Sequence, residues 1–152
     1  MTLKIISIGK KHEDWVASGI ERYQKRLRGP FSLEWVLLPP SGLDEPRARQ
    51  DESERIQKLL RPNDYVILLD ERGVNIDSPA LSTLITSHVN ASRSIVIIIG
   101  GAYGIDQSLR ERANYIWSLS NLVFPHQLVR LILAEQLYRA QEIENGGGYH
   151  HS

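Results

Sequence analysis

Three short stretches of this chain carry residue types from which a ligand site could be built. They are Leu69–Gly73 (LDERG), Gly100–Gly104 (GGAYG) and Leu119–Phe124 (LSNLVF). Glycine has no Cβ, so Gly100–Gly104 would let a ligand approach the backbone closely, although a structural tight turn has the same composition. The glycine spacing is neither that of a dinucleotide-binding fingerprint nor that of a Walker sequence.

The Leu119–Phe124 stretch is apolar except for Ser120 and Asn121. Such a loop suits an aromatic ring that lies between aliphatic side chains and is held by backbone N–H and C=O groups. Adenine is an obvious candidate, and no charged group is required. A buried structural loop has the same composition, so the residues alone leave both interpretations open.

Four further residues have side chains that could move a proton or stabilise an anion. His126 and Arg130 follow the third stretch, whereas Tyr149 and His150 lie in the tail 144–152, whose glycines predict flexibility. Histidine titrates near neutral pH and is the commonest general acid–base, but His126 could equally be a structural histidine. The five histidines show no metal-ligand spacing, and neither cysteine nor a G-x-S-x-G elbow is present.

Composition indicates an ordinary globular protein. We expect one domain over residues 1–152, in the cytoplasm, because no signal peptide and no apolar run long enough to span a bilayer is found.

A net charge of zero argues against nucleic-acid binding by bulk electrostatics. Residues 1–30 nevertheless carry seven lysines and arginines against three acidic residues. That excess indicates either a solvated helix face, which is the commoner case, or an RNA contact.

Strands and helices alternate along the chain. Apolar runs predict strands at 3–8, 31–38, 65–69, 95–99 and 115–119, with Asp70–Gly73 ending the third. Helical spacing predicts helices from about 14 to 28, before residue 60, at 78–89, at 106–114 and after 125, with Asp77 or Ser78 and Asp106 as N-caps. This alternation is typical of an α/β fold with a mostly parallel sheet and helices on both faces. Ligands bind at the carboxyl ends of such strands, so we expect the three stretches to meet there.

The last predicted helix is more apolar than a surface helix. Pro125 stands at its start, where proline is tolerated in the first turn. The apolar side chains that follow occupy nearly the whole circumference: Leu128, Val129, Leu131, Ile132, Leu133 and Ala134. A helix of this kind must be covered on more than one side. Its own sheet can cover one face, and the other needs a second layer or a second copy of the chain.

Five motifs in order resemble one known family. They are LDERG (Leu69–Gly73), IGGAYG (Ile99–Gly104), LSNLVFPHQLVR (Leu119–Arg130), EQLYRA (Glu135–Ala140) and GYH (Gly148–His150). Together they are similar to the bacterial ribosomal large-subunit methyltransferase H family, which consists of small, knotted SPOUT-class methyltransferases. The resemblance covers essentially the whole chain.

The resemblance implies a C-terminal trefoil knot and a homodimer that binds S-adenosylmethionine without a metal. The implied reaction is methylation of N3 of a pseudouridine in 23S rRNA, within the large subunit or the assembled ribosome. Carried over by motif, the cofactor contacts are Leu69, Gly100, Leu119, Ser120, Asn121, Leu122, Val123 and Phe124. The candidate catalytic residues are His150 and Tyr149, from the same or the partner subunit, together with Arg130 and His126.

The chain departs from the family pattern at three positions. Gly148 stands where the family commonly has proline, His151 where it has a basic residue, and Val123 where it has threonine. Glycine costs more entropy to order than proline, so the altered tail leaves open a ribosome-associated assembly factor without catalysis. The other alternative is a non-catalytic small-molecule or nucleotide-binding module with a doubly wound fold.

Overall fold

Five parallel strands form one sheet. The computed structural model describes residues 2–151. The strands are β1 (Leu3–Ile8), β2 (Leu33–Leu38), β3 (Tyr65–Val74), β4 (Ile95–Ile99) and β5 (Tyr115–Trp117). Their order in the sheet is β2-β1-β4-β3-β5. All four strand pairs run parallel, so the carboxyl ends of the five strands lie at one edge of the sheet.

The helices cover both faces of this sheet. They are α1 (Asp14–Gln24), α2 (Arg47–Gln57), α3 (Ser78–Asn90), α4 (Gln107–Arg112) and α5 (His126–Glu144), with a one-turn 3-10 helix at Gly29–Phe31. Successive strand residues point to opposite faces. Ile5, Ile67 and Ile97 pack into a core with α3 and α5, whereas Ile6, Leu68 and Ile98 pack with α2 and α4. The predicted α/β fold, with its parallel sheet and two helical layers, is confirmed.

Two helix starts have the caps that the sequence predicts. The Asp77 side chain accepts a hydrogen bond from the Ala80 N–H at 2.9 Å, and the Asp106 side chain accepts one from the Leu109 N–H at 2.9 Å. Each bond satisfies an amide at the helix start that has no partner within the helix.

The prediction that Asp70–Gly73 ends β3 is wrong. The strand runs on to Val74, and Leu69 and Val74 both pair with Trp117, so the four residues between them form a bulge. A Cβ on Gly73 would lie 2.5 Å from the Ile116 carbonyl oxygen, which explains why glycine stands at this close approach. The bulge keeps the strand in the sheet while the charged residues leave it.

Other boundaries also differ from the prediction. α1 ends at Gln24 rather than near residue 28, and β2 begins at Leu33 because Phe31 lies in the 3-10 helix. β5 ends at Trp117, because the Ser118 hydroxyl donates to the Ser120 carbonyl at 2.8 Å and turns the chain. Pro125 is the N-cap of α5 rather than a residue of its first turn.

α5 lies between two other helices. The Gln127 side chain accepts from the Glu13 N–H at 3.0 Å on the α1 side, and the Ser78 hydroxyl donates to Gln136 at 2.7 Å on the α3 side. The chain thus supplies much of the cover that its apolar helix needs, while Leu128 and Ile132 stay only partly buried. Within residues 2–151, none of the helices combines the length and the apolar character that crossing a membrane requires.

Candidate active site

The three stretches selected from the sequence meet at the carboxyl edge of the sheet. They enclose a cavity of about 540 Å³. Its lining includes seven of the eight residues expected to contact a cofactor: Leu69, Gly100, Leu119, Ser120, Leu122, Val123 and Phe124. Asn121 belongs to the same loop but does not line the cavity. The cavity thus has the position that a parallel sheet gives to a ligand site.

One wall of the cavity is backbone. Gly104 has a φ of +76°, a left-handed conformation that glycine adopts without strain, and its N–H donates to the Gly101 carbonyl at 3.0 Å. A Cβ on Gly101 would lie 2.7 Å from the Glu52 Oε1 atom, and one on Gly100 would lie 3.0 Å from Ile105. The wall therefore has no room for side chains at these two positions.

A second wall is apolar and contains the Ser120 turn. The Ser120 hydroxyl accepts from the Leu122 N–H at 3.0 Å, so this side chain shapes the loop. Leu122 and Val123 are 70% and 78% exposed. Such exposure of two neighbouring aliphatic side chains at a cavity rim indicates that a ligand or a second protein chain covers them.

The bulge of β3 provides charge at the cavity. Asp70 forms an ion pair with Arg110 and accepts from the Arg72 N–H at 2.8 Å. Burial alone would raise the pKa of Asp70, but the hydrogen bonds from Arg72 and Arg110 outweigh it and the pKa is lowered. The carboxylate is therefore ionised near neutral pH, beside the exposed Glu71.

His126 and Arg130 lie together next to this cavity. The Arg130 side chain is fully buried and donates from Nη1 to the Lys10 carbonyl at 2.9 Å. Its Nη1 also lies 3.1 Å from His12 Nδ1, whereas its Nε and Nη2 atoms have no partner. A Cβ on Gly9 would lie 2.8 Å from Arg130 Nη2 and 3.3 Å from the His126 ring. The guanidinium thus lies directly beneath the chain that leaves β1.

The histidines of this cluster favour the neutral form. Burial, followed by the Arg130 charge, lowers the pKa of His126, although a hydrogen bond with the Gly100 backbone opposes this. Burial and Arg130 lower the pKa of His12 in the same way. Ser7 Oγ lies 3.5 Å from His126 Nε2. His126 is therefore a neutral imidazole in contact with the wall of the cavity.

We expect stability to depend on His126 in mild acid. The unfolded chain binds the proton more tightly than the folded protein does, so the free energy of unfolding should fall as the pH drops below about 6.5. Each such histidine contributes a slope of up to about 1.4 kcal/mol per pH unit. Urea unfolding of the wild type and His126→Gln between pH 7.5 and 5.5 measures this. The variant should show the shallower slope, and identical slopes would contradict the expectation.

Tyr149 and His150 lie elsewhere, because the tail folds back onto α5. The Tyr149 hydroxyl donates to Glu135 at 3.1 Å, and its ring packs edge-on against Tyr138 with 4.8 Å between centroids. The Arg139 guanidinium lies 4.8 Å above the Tyr149 ring and 3.1 Å from His150 Nδ1. Burial and the Glu135 charge raise the pKa of Tyr149 to about 12. Tyr149 is thus a neutral donor in a packed tail.

The tail borders a second cavity of about 450 Å³, which is lined by His150, Ile132 and Trp117 among others. Leu119 lines this cavity as well as the first. The structure therefore groups His126 with Arg130 next to the first cavity and places His150, beside Tyr149, at the second, with Leu119 lining both.

Sequence reasoning missed the partners of both groups. Glu135 and Arg139 form an i, i+4 ion pair at 3.0 Å, a spacing that could have been noticed as a pair on one helix face. No local signal links Arg130 to Lys10 and His12, since these contacts join residues more than 115 positions apart. Within residues 2–151, no group of histidine and acidic side chains could hold a metal ion.

Comparison with known proteins agrees with this architecture. A family model described as predicted SPOUT methyltransferase matches residues 1–150. The protein named ribosomal RNA large subunit methyltransferase H of Geobacter metallireducens is 43% identical over 154 residues, covering 100% of both chains. The protein of that name from Desulfitobacterium hafniense is 39% identical over 99% of each chain.

A solved structure shows the same fold. It is a probable methylase family protein from Haemophilus influenzae Rd KW20, with a TM-score of 0.57 and 16% identity, covering 99% of this chain and 70% of that one. The full-length match to the family and to named relatives above 30% identity shows that this chain belongs to the SPOUT methyltransferase family, in the group of ribosomal RNA large subunit methyltransferase H.

Proposed function

We propose that this protein transfers a methyl group from S-adenosylmethionine to N3 of a pseudouridine in 23S rRNA, in the cytoplasm. The observation that carries the proposal is the cavity at the carboxyl edge of the sheet, formed by the three loops that match the family's motifs. The rRNA substrate rests on the names of the relatives, and the base and atom rest on the resemblance of the motifs.

The residues present fit the proposed cofactor. The cavity volume of about 540 Å³ lies within the range of small-molecule sites. Leu119, Leu122 and Phe124 provide an apolar surface for an adenine ring, and the glycine wall lets backbone groups reach it. The exposed Glu71 provides a carboxylate for the cationic part of the molecule, whereas Asp70 is already paired with Arg110. When bound, S-adenosylmethionine supplies an electrophilic methyl group.

The chain must then orient the ring and accept a proton from N3. Orientation supplies much of the rate of an in-line displacement. A base within hydrogen-bonding reach would take the proton. His126 is neutral and could accept a proton, whereas Tyr149, with a pKa of about 12, stays protonated at neutral pH. His150 has Nδ1 occupied by Arg139 and Nε2 buried without a partner. A direct role for His150 would therefore require the tail to leave this position.

Replacing His150 tests whether the tail acts in chemistry or only positions RNA. For a direct role we expect His150→Ala to lower the single-turnover rate by about 100-fold, the lower range for a general acid–base. Affinity for S-adenosylmethionine should stay within twofold, since His150 does not line the first cavity. His151→Ala, an exposed neighbour, is the control. An unchanged single-turnover rate in His150→Ala would refute the direct role.

We further propose a homodimer and a C-terminal trefoil knot. α5 follows the edge strand β5 yet crosses back to lie between α1 and α3, as a threaded chain would. The partly buried Leu128 and Ile132 and the 55% exposed Trp15 supply apolar surface for a second copy. The basic residues of 1–30 are proposed to contact rRNA.

Two assays separate this function from the alternatives. Calorimetry with S-adenosylmethionine should show binding, and the absence of binding would indicate a different nucleotide module. Incubation with ribosomes that lack the modification should transfer a labelled methyl group to the large-subunit rRNA. Binding without transfer would indicate an assembly factor that has lost catalysis.

A further inference from the structure

The segment Gly9–His12, which connects β1 to α1, lies beside the cavity. A Cβ on Gly9 would lie 2.8 Å from Arg130 Nη2 and 3.3 Å from the His126 ring, and a Cβ on Gly101 would lie 3.0 Å from Ile8 at the end of β1. β1 and β4 are neighbours in the sheet, so this segment and the glycine wall leave adjacent strands at the same edge. A nucleotide whose base approaches a cofactor held in the cavity would have its backbone close to this segment.

α5 holds the backbone of this segment in place. Arg130 Nη1 donates to the Lys10 carbonyl at 2.9 Å, and Gln127 Nε2 donates to the Lys11 carbonyl at 3.4 Å. Gln127 also accepts from the Glu13 N–H at 3.0 Å. Three hydrogen bonds that involve the side chains of Arg130 and Gln127 therefore order this short loop. An ordered loop loses less conformational entropy when it binds a ligand.

The segment carries positive charge that the structure does not neutralise. Lys10 and Lys11 are exposed, and no ion pair involves either of them within the part of the chain that the structure describes. Beneath them, Arg130 is fully buried without a carboxylate partner, and its Nε and Nη2 atoms are unpaired. A buried cation normally has an anionic partner, so its absence indicates that a bound anion benefits from this charge.

The basic residues of the N-terminal region are divided by α1. Lys10 and Lys11 lie at the carboxyl edge, beside the cavity. Lys25, Arg26 and Arg28 follow the end of α1, an 11-residue helix of about 16 Å in length. Five of the seven basic residues of 1–30 therefore fall into two separate patches, of which only the first adjoins the site.

We propose that Lys10 and Lys11 bind a phosphate of the RNA backbone next to the target nucleotide, and that Arg130 is the positioning residue of this phosphate site. The proposal rests on the proposed function, because it takes its ligand from an RNA substrate. Phosphate contacts fix the register of an RNA on a protein without reading its sequence.

The salt dependence of binding tests this proposal. We compare wild-type protein with Lys10→Ala/Lys11→Ala for binding to ribosomes that lack the modification, between 50 and 200 mM salt at constant magnesium. Each phosphate contact contributes roughly 0.7 to 0.9 to the slope of log affinity against log salt. Because both lysines are proposed to bind one phosphate, the double variant should lower the slope by about 0.7 to 0.9, with affinity for S-adenosylmethionine within twofold.

Two controls match this variant. Lys58→Ala/Arg61→Ala removes two exposed charges at the opposite edge of the sheet and should keep the wild-type slope. Lys10→Arg/Lys11→Arg keeps the charges and should also keep it. An unchanged slope in Lys10→Ala/Lys11→Ala would overturn the proposal. An equal decrease of the slope in Lys58→Ala/Arg61→Ala would also overturn it. Wild-type protein that transfers no methyl group would instead count against the proposed function.

Discussion

Arg130→Met is expected to lower methyl transfer to ribosomes by about 100-fold while leaving the fold nearly as stable as in the wild type. Methionine matches the length of the arginine stem but neither donates to Lys10 nor carries charge. A displacement of a site by about 1 Å can cost 100-fold in rate, and the Gly9–His12 segment would lose its anchor. Single-turnover transfer and urea unfolding measure the two effects.

The free energy of unfolding should change little because burying the guanidinium carries a large desolvation cost. Burial lowers the pKa of Arg130, and the side chain has no carboxylate partner to offset the loss of hydration. Replacing buried charges by apolar side chains of similar volume is often neutral or stabilising. The free energy of unfolding should therefore change by no more than about 2 kcal/mol, including the unpaired Lys10 carbonyl.

Arg130→Lys is the matched control, since it keeps the charge but loses the planar fork. It should retain more activity than Arg130→Met. If Arg130→Met were inactive because it unfolds, with a loss above about 3 kcal/mol, the guanidinium would be a structural group. Wild-type transfer by Arg130→Met would show that neither its charge nor its anchor matters for the reaction.

Ile132→Glu is expected to give a monomer with little activity. Ile132 lies on the side of α5 that α1 and α3 leave partly uncovered, with Leu128 one turn before it. An ionised carboxylate in an apolar interface without a partner costs several kcal/mol. A loss of about 4 kcal/mol raises the dissociation constant of a dimer about 1,000-fold. Sedimentation and methyl transfer, measured at the same protein concentration, test both parts.

A second variant separates dimerisation from the tail. Ile132 lines the cavity beside His150, so a charge there could also displace the tail, whereas Leu128 does not line it. Leu128→Glu should therefore give the same monomer and the same loss of activity. Thr83→Glu, on an exposed position of α3, should leave a dimer. A fully active dimer in both Ile132→Glu and Leu128→Glu would rule out a dimer interface on this side of α5.

Local patterns determined most of the secondary structure. The apolar runs Leu3–Ile8 and Ile95–Ile99 became strands with the predicted bounds. Asp77 and Asp106 cap helices because a carboxylate at this position meets a free amide two or three residues on. These interactions join neighbours in the chain, so a short window of sequence contains all of their participants.

The three cavity loops were also selected from sequence. Parallel strands end at a common edge, so loops that follow such strands must lie near each other once the alternation of strands and helices is recognised. That argument requires the strand directions but not the strand order.

Tertiary structure decided the rest. Only the pairing of both Leu69 and Val74 with Trp117 shows that Asp70–Gly73 form a bulge of β3 instead of ending the strand. Only the contacts of α5 with α1 and α3 show how much of this helix the chain itself covers. From the sequence alone, Arg130 is a polar residue in an otherwise apolar helix. Its burial under Gly9 and its bond to Lys10 arise from packing between residues 120 positions apart, whose geometry no local pattern contains.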